Sequence, residues 1–505
     1  MQEALFITTP IYYINGDPHL GHAYTTILAD VLARYARLQG RDTFFLTGTD
    51  EHGQKTQLAA RENGLEPQVY ADRISARFRQ AWGELNIAYD DFIRTTDDRH
   101  MAVVRQVLGD LWQRGEIYKG TYEGWYCLPD ERFFSEKDLL DGKCPECGRV
   151  VEWVSEPDYF FRMSAYQGWL LDYIQEHPDF IQPAFRRNEV LGFLRKPLAD
   201  LCISRPRARL EWGIPLPFDP EFVTYIWFDA LLNYATAAGY LQDSERFARL
   251  WPGTVHLIGK DILTTHAVYW PAMLKAIGLP MPRQIYAHGW WVVSGRKMGK
   301  SLGNAVKPLE LAGQYGADAF RYFLMREMSP GQDAEFQPER LLARYQTDLA
   351  NIYGNLLQRL TSMIGRYCGG RVPEPIGGGL AEAQLRERFE TLPGCVFERV
   401  ETMNLHEGLG EVMNALVGLN QYLEDCSPWR QALAGNRGSV NTALYTASEA
   451  LRIACGLLLP VLPLQAAEAV RRLGAAPIHT AADLAWGALQ PGAAVINGDP
   501  LFPRK

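Results

Sequence analysis

The chain has 505 residues, 47% of them hydrophobic and 22% charged, with a formal net charge of -8. That length suits about three or four domain-sized units with large cores. The acidic balance excludes nucleic-acid binding through bulk charge, so such a partner needs a local basic patch, and eight cysteines in so long a chain do not make a disulfide framework.

The first residues, "MQEALFITTP", lack the basic and long apolar regions of a signal peptide. The longest apolar run, "IACGLLLPVLPL" at 453–464, is too short for a bilayer and holds two prolines. A soluble, cytoplasmic protein is expected. Residues 5–9 read as a short buried strand. From Leu20 the apolar positions Tyr24, Ile27, Leu28, Val31, Leu32, Tyr35 and Leu38 form a helical stripe, with Gly40 as a stop. "TFFLTG" at 43–48 reads as a second strand, which makes a βαβ unit with a parallel sheet. Ligands in such sheets bind beyond the C-terminal strand ends, and both ends carry polar clusters, "NGDPHLGH" and "TDEHG".

Residues 54–117 read as mostly helical. Residues 118–225, rich in turns, aromatics and cysteine, read as an insertion. The α/β pattern returns at 223–237, 255–262 and 285–293. Beyond about 340 nearly everything is helix; Leu341, Tyr345, Leu349, Ile352, Leu356 and Leu360 form one stripe, broken by the glycines at 369–370 and by "PEPIGGG" at 373–379.

"INGDPHLGHAYTT", 14–26, places two imidazoles where a strand hands over to a helix. Asp17 is a candidate cap and Pro18 suits a first turn. The free N–H groups and the helix dipole then make an anion site. His19 and His22, at i and i+3, share a face, and Gly21 permits close approach. Read alone, the stretch fits phosphate binding, a solvated turn or a metal pair. "GRKMGKSLGN", 295–304, sets Lys297 and Lys300 among glycines after a strand. It fits a lid over a polyphosphate or a basic surface loop.

Together the two stretches resemble the paired signatures of class I aminoacyl-tRNA synthetases, His-x-Gly-His and Lys-Met-Ser-Lys-Ser. "TTPIYYINGDPHLGHAYTTILADVLARY", "FLTGTDEHG", "VTYIWFDALLNY" and "HLIGKDILTTHAVYWPAML" narrow the resemblance to the methionyl group, over essentially the whole chain. Gly299 departs from the pattern: it stands where the family usually has serine. It removes a hydroxyl from the lid, which puts the rate in doubt more than the reaction.

The resemblance implies a Rossmann-type parallel-sheet catalytic domain with a zinc-knuckle insertion, followed by an all-α anticodon-binding bundle. The boundaries expected are 1–117 with 226–290 for the split catalytic domain, 118–225 for the insertion, 291–340 for the lid and stem-contact region, and 341–505 for the bundle. It implies ATP with Mg²⁺, L-methionine and tRNA(Met), initiator included, as reactants and partners, with no membrane. His19, His22, Lys297 and Lys300 would be catalytic. Asn15, His19, Gly21, His22, Gly259, Asp261, Lys297, Lys300 and Ser301 would hold ATP. Tyr13, Asp50, Trp227, Ala230, Leu231, Tyr234, His266 and Trp270 would line the methionine site. The residues themselves agree in part: Trp227, Leu231 and Tyr234 share one helical face, as do His266 and Trp270, although hydrophobic core is the plainer reading of each stripe. A thioether suits an aromatic slot, and Asp50 at a strand end suits an ammonium.

"CPECG" at 144–148 is a zinc-knuckle signal, because two thiolates two residues apart chelate one ion. Cys127 adds a third thiolate and Asp130 stands where relatives carry a fourth ligand. The expectation is one structural Zn²⁺ on Cys127, Cys144 and Cys147, with Asp130 inside or outside the ligand shell. In the bundle, Asn355 and Arg359 share a face at i and i+4, and Trp429 follows Pro428; at the matching positions the family reads the anticodon, with amide and guanidinium on base edges and an indole stacked on a base.

Three alternatives stand beside this reading. A nucleotidylyltransferase shares the His-x-Gly-His site but needs no long helical region. A synthetase for leucine, isoleucine or valine carries an editing insertion larger than 118–225. A tRNA-binding paralogue with a decayed lid is non-enzymatic. Some relatives carry a further dimerising domain after the bundle; none is read here, and a monomer is expected.

Overall fold

The computed structural model describes residues 3–127, 132–134, 136–145, 148–225, 227–293, 295–297 and 306–505; at 132, 133, 296 and 297 the description is of backbone alone. The first strand, β1, is Leu5–Tyr13. It is followed by helix α1, Leu20–Leu38, and strand β2, Thr43–Asp50. Side chains alternate across β1: Leu5 and Ile7 enter one core and Phe6 the other. This is the two-sided burial of a parallel strand covered by helices.

β1 runs four residues past the expected end, straight through Pro10. Its register against β2 shifts between Thr8 and Ile11. A proline lacks a ladder donor, and an irregularity is where a strand tolerates one. The region expected to be mostly helical also contains a short strand, β3, Asp91–Arg94, which pairs with β2. Four residues carry no period long enough to separate from the helices around them.

The sheet has six parallel strands in the order β3, β2, β1, Thr254–Gly259, Gln284–His288, Ile181–Gln182. The order reverses between β1 and Thr254–Gly259. This is the topological switch point, where the crevice of an open α/β sheet forms. Ile181–Gln182, within the stretch read as an insertion, is the edge strand. The rest of that stretch carries a four-stranded sheet, Arg132–Phe134, Ile117–Cys127, Glu152–Phe161 and Leu201–Cys202, and a three-stranded one built on Asp219–Thr224.

Beyond residue 337 the described chain up to Arg472 is mostly helical, interrupted by an irregular stretch at 368–379, with long helices at Leu380–Glu401, Leu405–Cys426 and Arg437–Leu458. One hydrophobic core runs from α1 into this bundle. A buried ion pair crosses the same junction: Arg321 Nη2 donates to Asp30 Oδ2 at 2.6 Å, and the same guanidinium donates to the carbonyls of Leu85, Pro460 and Val461. Arg34 Nε and the Ala88 N–H complete the shell of Asp30. Every acceptor and donor is used, which is the condition for a buried charge pair. Helix α1, with the two histidines at its start, is thereby fixed to the helical region.

Candidate active site

The start of α1 differs from the expectation. Asp17 is exposed and pairs with Arg77, and Pro18 precedes the cap. The cap is His19. Its Nδ1 accepts from the Gly21 N–H at 3.1 Å, and its own backbone N–H donates to His22 Nδ1 at 3.4 Å. This is a reciprocal capping box made of imidazoles. The two rings stack with centroids 3.6 Å apart. Because both Nδ1 atoms accept, the neutral tautomer of each ring carries its proton on Nε2. A β-carbon at Gly21 would lie 3.0 Å from His19 Cε1, so the close approach this glycine permits is that of the capping ring itself.

His22 is further held by Tyr12, whose ring centroid lies 4.6 Å away, and by Phe78 at 5.6 Å. The Tyr12 hydroxyl lies 2.8 Å from Thr26 Oγ1, which itself donates to the His22 carbonyl at 2.8 Å. Burial pushes the Tyr12 phenol up to about 12, so it stays a donor.

A cavity of about 310 Å³ opens at the switch point. His19, Gly21 and His22 line one part. Tyr13 and Asp50, at the ends of β1 and β2, line another, with Trp227, Ala230, Leu231, Tyr234 and His266 beside them. Gly259 and Asp261, after the strand Thr254–Gly259, complete it. Two expected residues stand elsewhere. Asn15 is exposed in the turn before α1 and Trp270 is fully buried behind the wall; neither is among the lining residues. His266 lies in a single π-helical turn, Thr265–Tyr269, and Trp270 begins the next helix. The extra residue of a π turn separates faces that an i, i+4 count puts together.

Buried imidazoles shape this wall, each in a determined tautomer. His266 Nδ1 faces the Ile262 carbonyl at 3.0 Å, so it donates, and Nε2 accepts from the Tyr234 hydroxyl at 2.8 Å. Burial lowers His266 to about 4. His256 Nε2 accepts from Trp270 Nε1 at 3.1 Å, so its Nδ1 donates to Thr8 Oγ1 at 2.7 Å; burial lowers it too. The side of the cavity away from the charged groups is therefore neutral and apolar, as an unbranched uncharged side chain needs.

Composition and spacing did not point to several lining residues. His288 ends the strand Gln284–His288 and lines the cavity; its Nδ1 donates to the Gly289 carbonyl and its Nε2 lies 2.7 Å from Thr25 Oγ1, one turn into α1. Trp290 follows, with Nε1 donating to Asp261 Oδ1 at 3.2 Å and its ring under the Lys260 ammonium. The stretch "AHGWW" occupies the C-terminal end of a sheet strand, so the switch-point rule was the available signal.

Of the stretch expected to form a lid, Arg296–Lys297 pairs as a short strand with Trp291–Val293. Lys300 and Ser301, with Gly299, lie outside the described residues. So do Asp130 and Cys147 of the expected zinc set. The other two, Cys127 and Cys144, are both buried and share one small cluster with Phe134 and Val151. The Gly148 N–H donates to the Cys144 carbonyl and the Cys144 N–H to that of Arg149. Among the described residues no three histidine, cysteine or carboxylate side chains converge as a ligand set.

In the helical region, Arg359 and Trp429 come together, the guanidinium carbon 6.0 Å from the ring centroid. Arg359 Nη2 donates to Glu424 Oε1 at 2.6 Å and Nη1 to Asn420 Oδ1 at 3.4 Å. Asn355 is exposed one turn before Arg359 on the same helix, Asn355–Tyr367. No helix of the described residues is long and apolar enough to cross a membrane.

The model of the family "tRNA synthetases class I (M)" matches residues 5–153 and 147–361. A methionine–tRNA ligase of Thermotoga maritima is 45% identical over 504 residues, 99% of this chain and 80% of that protein. One of Streptomyces coelicolor is 43% identical over 524 residues, 99% of this chain and 97% of that protein. The solved Mycobacterium tuberculosis methionyl-tRNA synthetase in complex with methionyl-adenylate superposes with a TM-score of 0.95, at 42% identity and covering 100% of both chains.

Proposed function

We infer the activity from one premise: this chain belongs to the family of class I tRNA synthetases (M). It is an ATP-dependent ligase that activates methionine as the adenylate and charges tRNA with it. The carboxylate of methionine attacks the α-phosphorus of ATP and pyrophosphate leaves. The terminal ribose hydroxyl of the tRNA then attacks the acyl carbon and AMP leaves.

The observation that carries the residue-level reading is one cavity with two chemistries. The imidazole capping box at the start of α1 lies at one side and the neutral Trp227–Tyr234 wall, with Asp50, at the other. In this reading His19 and His22 present Nε2–H donors to the charge that develops on the α-phosphate. No covalent intermediate is needed, only positioned donors and reactants. Asp50 pairs with the methionine ammonium, and Tyr13, Trp227, Ala230, Leu231, Tyr234 and His266 surround the side chain, with Trp270 supporting from behind. Gly259 and Asp261 take the ribose, Asp261 by exchanging the Trp290 indole for ribose hydroxyls. Asn15 joins the nucleotide from the turn before α1. Lys297 and Lys300, with Ser301, close over the leaving pyrophosphate, and Mg²⁺ accompanies ATP.

The split catalytic domain, the insertion, the lid region and the bundle keep the boundaries given above in this proposal, except that Ile181–Gln182 inside the insertion joins the catalytic sheet as its edge strand. The paired burial of Cys127 and Cys144 at a knuckle fits a thiolate-bound zinc ion, which Cys147 and Asp130 would complete; its role is to staple the insertion. Asn355, Arg359 and Trp429 receive the anticodon of tRNA(Met), initiator included. The test is pyrophosphate exchange with each of the twenty amino acids. Exchange stimulated by methionine alone is the expected result; exchange with another amino acid, or none, overturns the reading.

A further inference from the structure

A buried cluster beside the amino-acid wall has no part in the mechanism above. Asp229 is 1% exposed, and each of its oxygens accepts from an imidazole of another segment: His52 Nδ1 at 2.6 Å and His100 Nε2 at 2.8 Å. His100 is fully buried in the helix Asp98–Gln113, with Nδ1 3.4 Å from Thr236 Oγ1. A carboxylate taken out of water is costly unless both oxygens are met. Here both are, by donors from two separate segments, the stretch after β2 and the helix after β3.

The cluster's place in the chain gives it leverage. Asp229 lies between Trp227 and Ala230, which line the cavity, in a four-residue helix that no sheet ladder holds. His52 lies two residues after Asp50, which lines the cavity from the end of β2. The Asp229–His52 bond therefore joins the wall that faces the substrate side chain to the strand end that faces its ammonium.

We propose that the His52–Asp229–His100 cluster is a ruler for the amino-acid site: it fixes the distance from Asp50 to the Trp227–Leu231 wall, and so sets which side-chain length is accepted. These are positioning residues, and the proposal rests on the methionine reading above. A hydrophobic slot separates substrates that differ by one methylene by about 10- to 200-fold. It does so only while its walls keep their spacing, because an interior that yields accommodates the longer chain.

The experiment compares methionine with ethionine, one methylene longer, in pyrophosphate exchange by the wild-type protein and Asp229→Asn. The amide keeps the volume but presents an N–H to one imidazole N–H. The expected result is a fall of about tenfold or more in the ratio of kcat/KM for methionine over ethionine, with the KM for ATP changed less than about twofold. A ratio within about twofold of wild type, or equal losses for both amino acids and ATP, overturns the ruler and leaves a folding role. His100→Gln, which retains one donor toward Asp229, is judged by the same ratio if Asp229→Asn is insoluble. Insolubility of both also counts against the proposal. A wild-type protein without methionine-dependent exchange would instead overturn the reading on which the proposal rests.

Discussion

In the function proposed above, the cavity and the Arg359–Trp429 face of the helical region would solve recognition in opposite ways. In the cavity wall the polar groups are buried and their protons are assigned. His266, His256 and His288 each spend one ring nitrogen on a backbone carbonyl or an indole and the other on a hydroxyl. On the helical face Arg359 is half-buried and tied to Glu424, which is 53% exposed. A small ligand that must be told from neighbours by a methylene needs walls that do not move. A splayed RNA loop needs donors that can change partner. Preorganisation belongs to the first region and exchangeable ion pairing to the second.

The sharpest way to break this contrast is His22→Ala. If preset donors do the chemistry, methionine-dependent pyrophosphate exchange falls by ~10²-fold or more, the scale of a lost oxyanion donor. A fall below about threefold would place the developing charge elsewhere. Next comes Arg359→Ala. Loss of a charged hydrogen bond to a base predicts an aminoacylation kcat/KM lower by about 10- to 100-fold, with an effect on tRNA-independent exchange at least about tenfold smaller. Equal losses in both assays would show that the two regions do not work separately.

A third prediction concerns pH. Burial holds His266 down at about 4 in the native state, whereas an unfolded histidine titrates near ~6.5. Between these values the unfolded chain binds more protons. The contribution of His266 to stability is therefore complete above about 6.5 and is lost as pH falls toward 4, at up to about 1.4 kcal/mol per pH unit. His256 and His288, also lowered by burial, act in the same direction. Urea midpoints at pH 7 and pH 5 measure this, and a midpoint that rises on acidification would contradict the neutral wall. The smallest effect is expected from Glu424→Gln. An exposed pair contributes at most about 1 kcal/mol, so releasing Arg359 should lower the KM for tRNA by no more than about fivefold, most visibly at low salt. An increase in KM would mean that Glu424 orients Arg359 for the RNA.

The sequence by itself determined the βαβ start and the helical last third, because local period carries that information. His19, His22, Asp50, the Trp227–Tyr234 stripe and Asp261 could be named as a set only because their flanking stretches matched a pattern; spacing alone left each with a plain alternative. Tertiary structure decided the rest. It made His19 rather than Asp17 the cap, since an imidazole folded over Gly21 reaches the backbone donor. It ran β1 through Pro10 at a register shift. It separated His266 from Trp270 by a π turn, and brought His288, Thr25 and Trp290 to a site that no local pattern joins to them. The His52–Asp229–His100 cluster belongs to this second class. Three isolated polar residues have no periodicity, and only the packing of β2, the Asp98–Gln113 helix and the Trp227–Ala230 turn gives one carboxylate two donors.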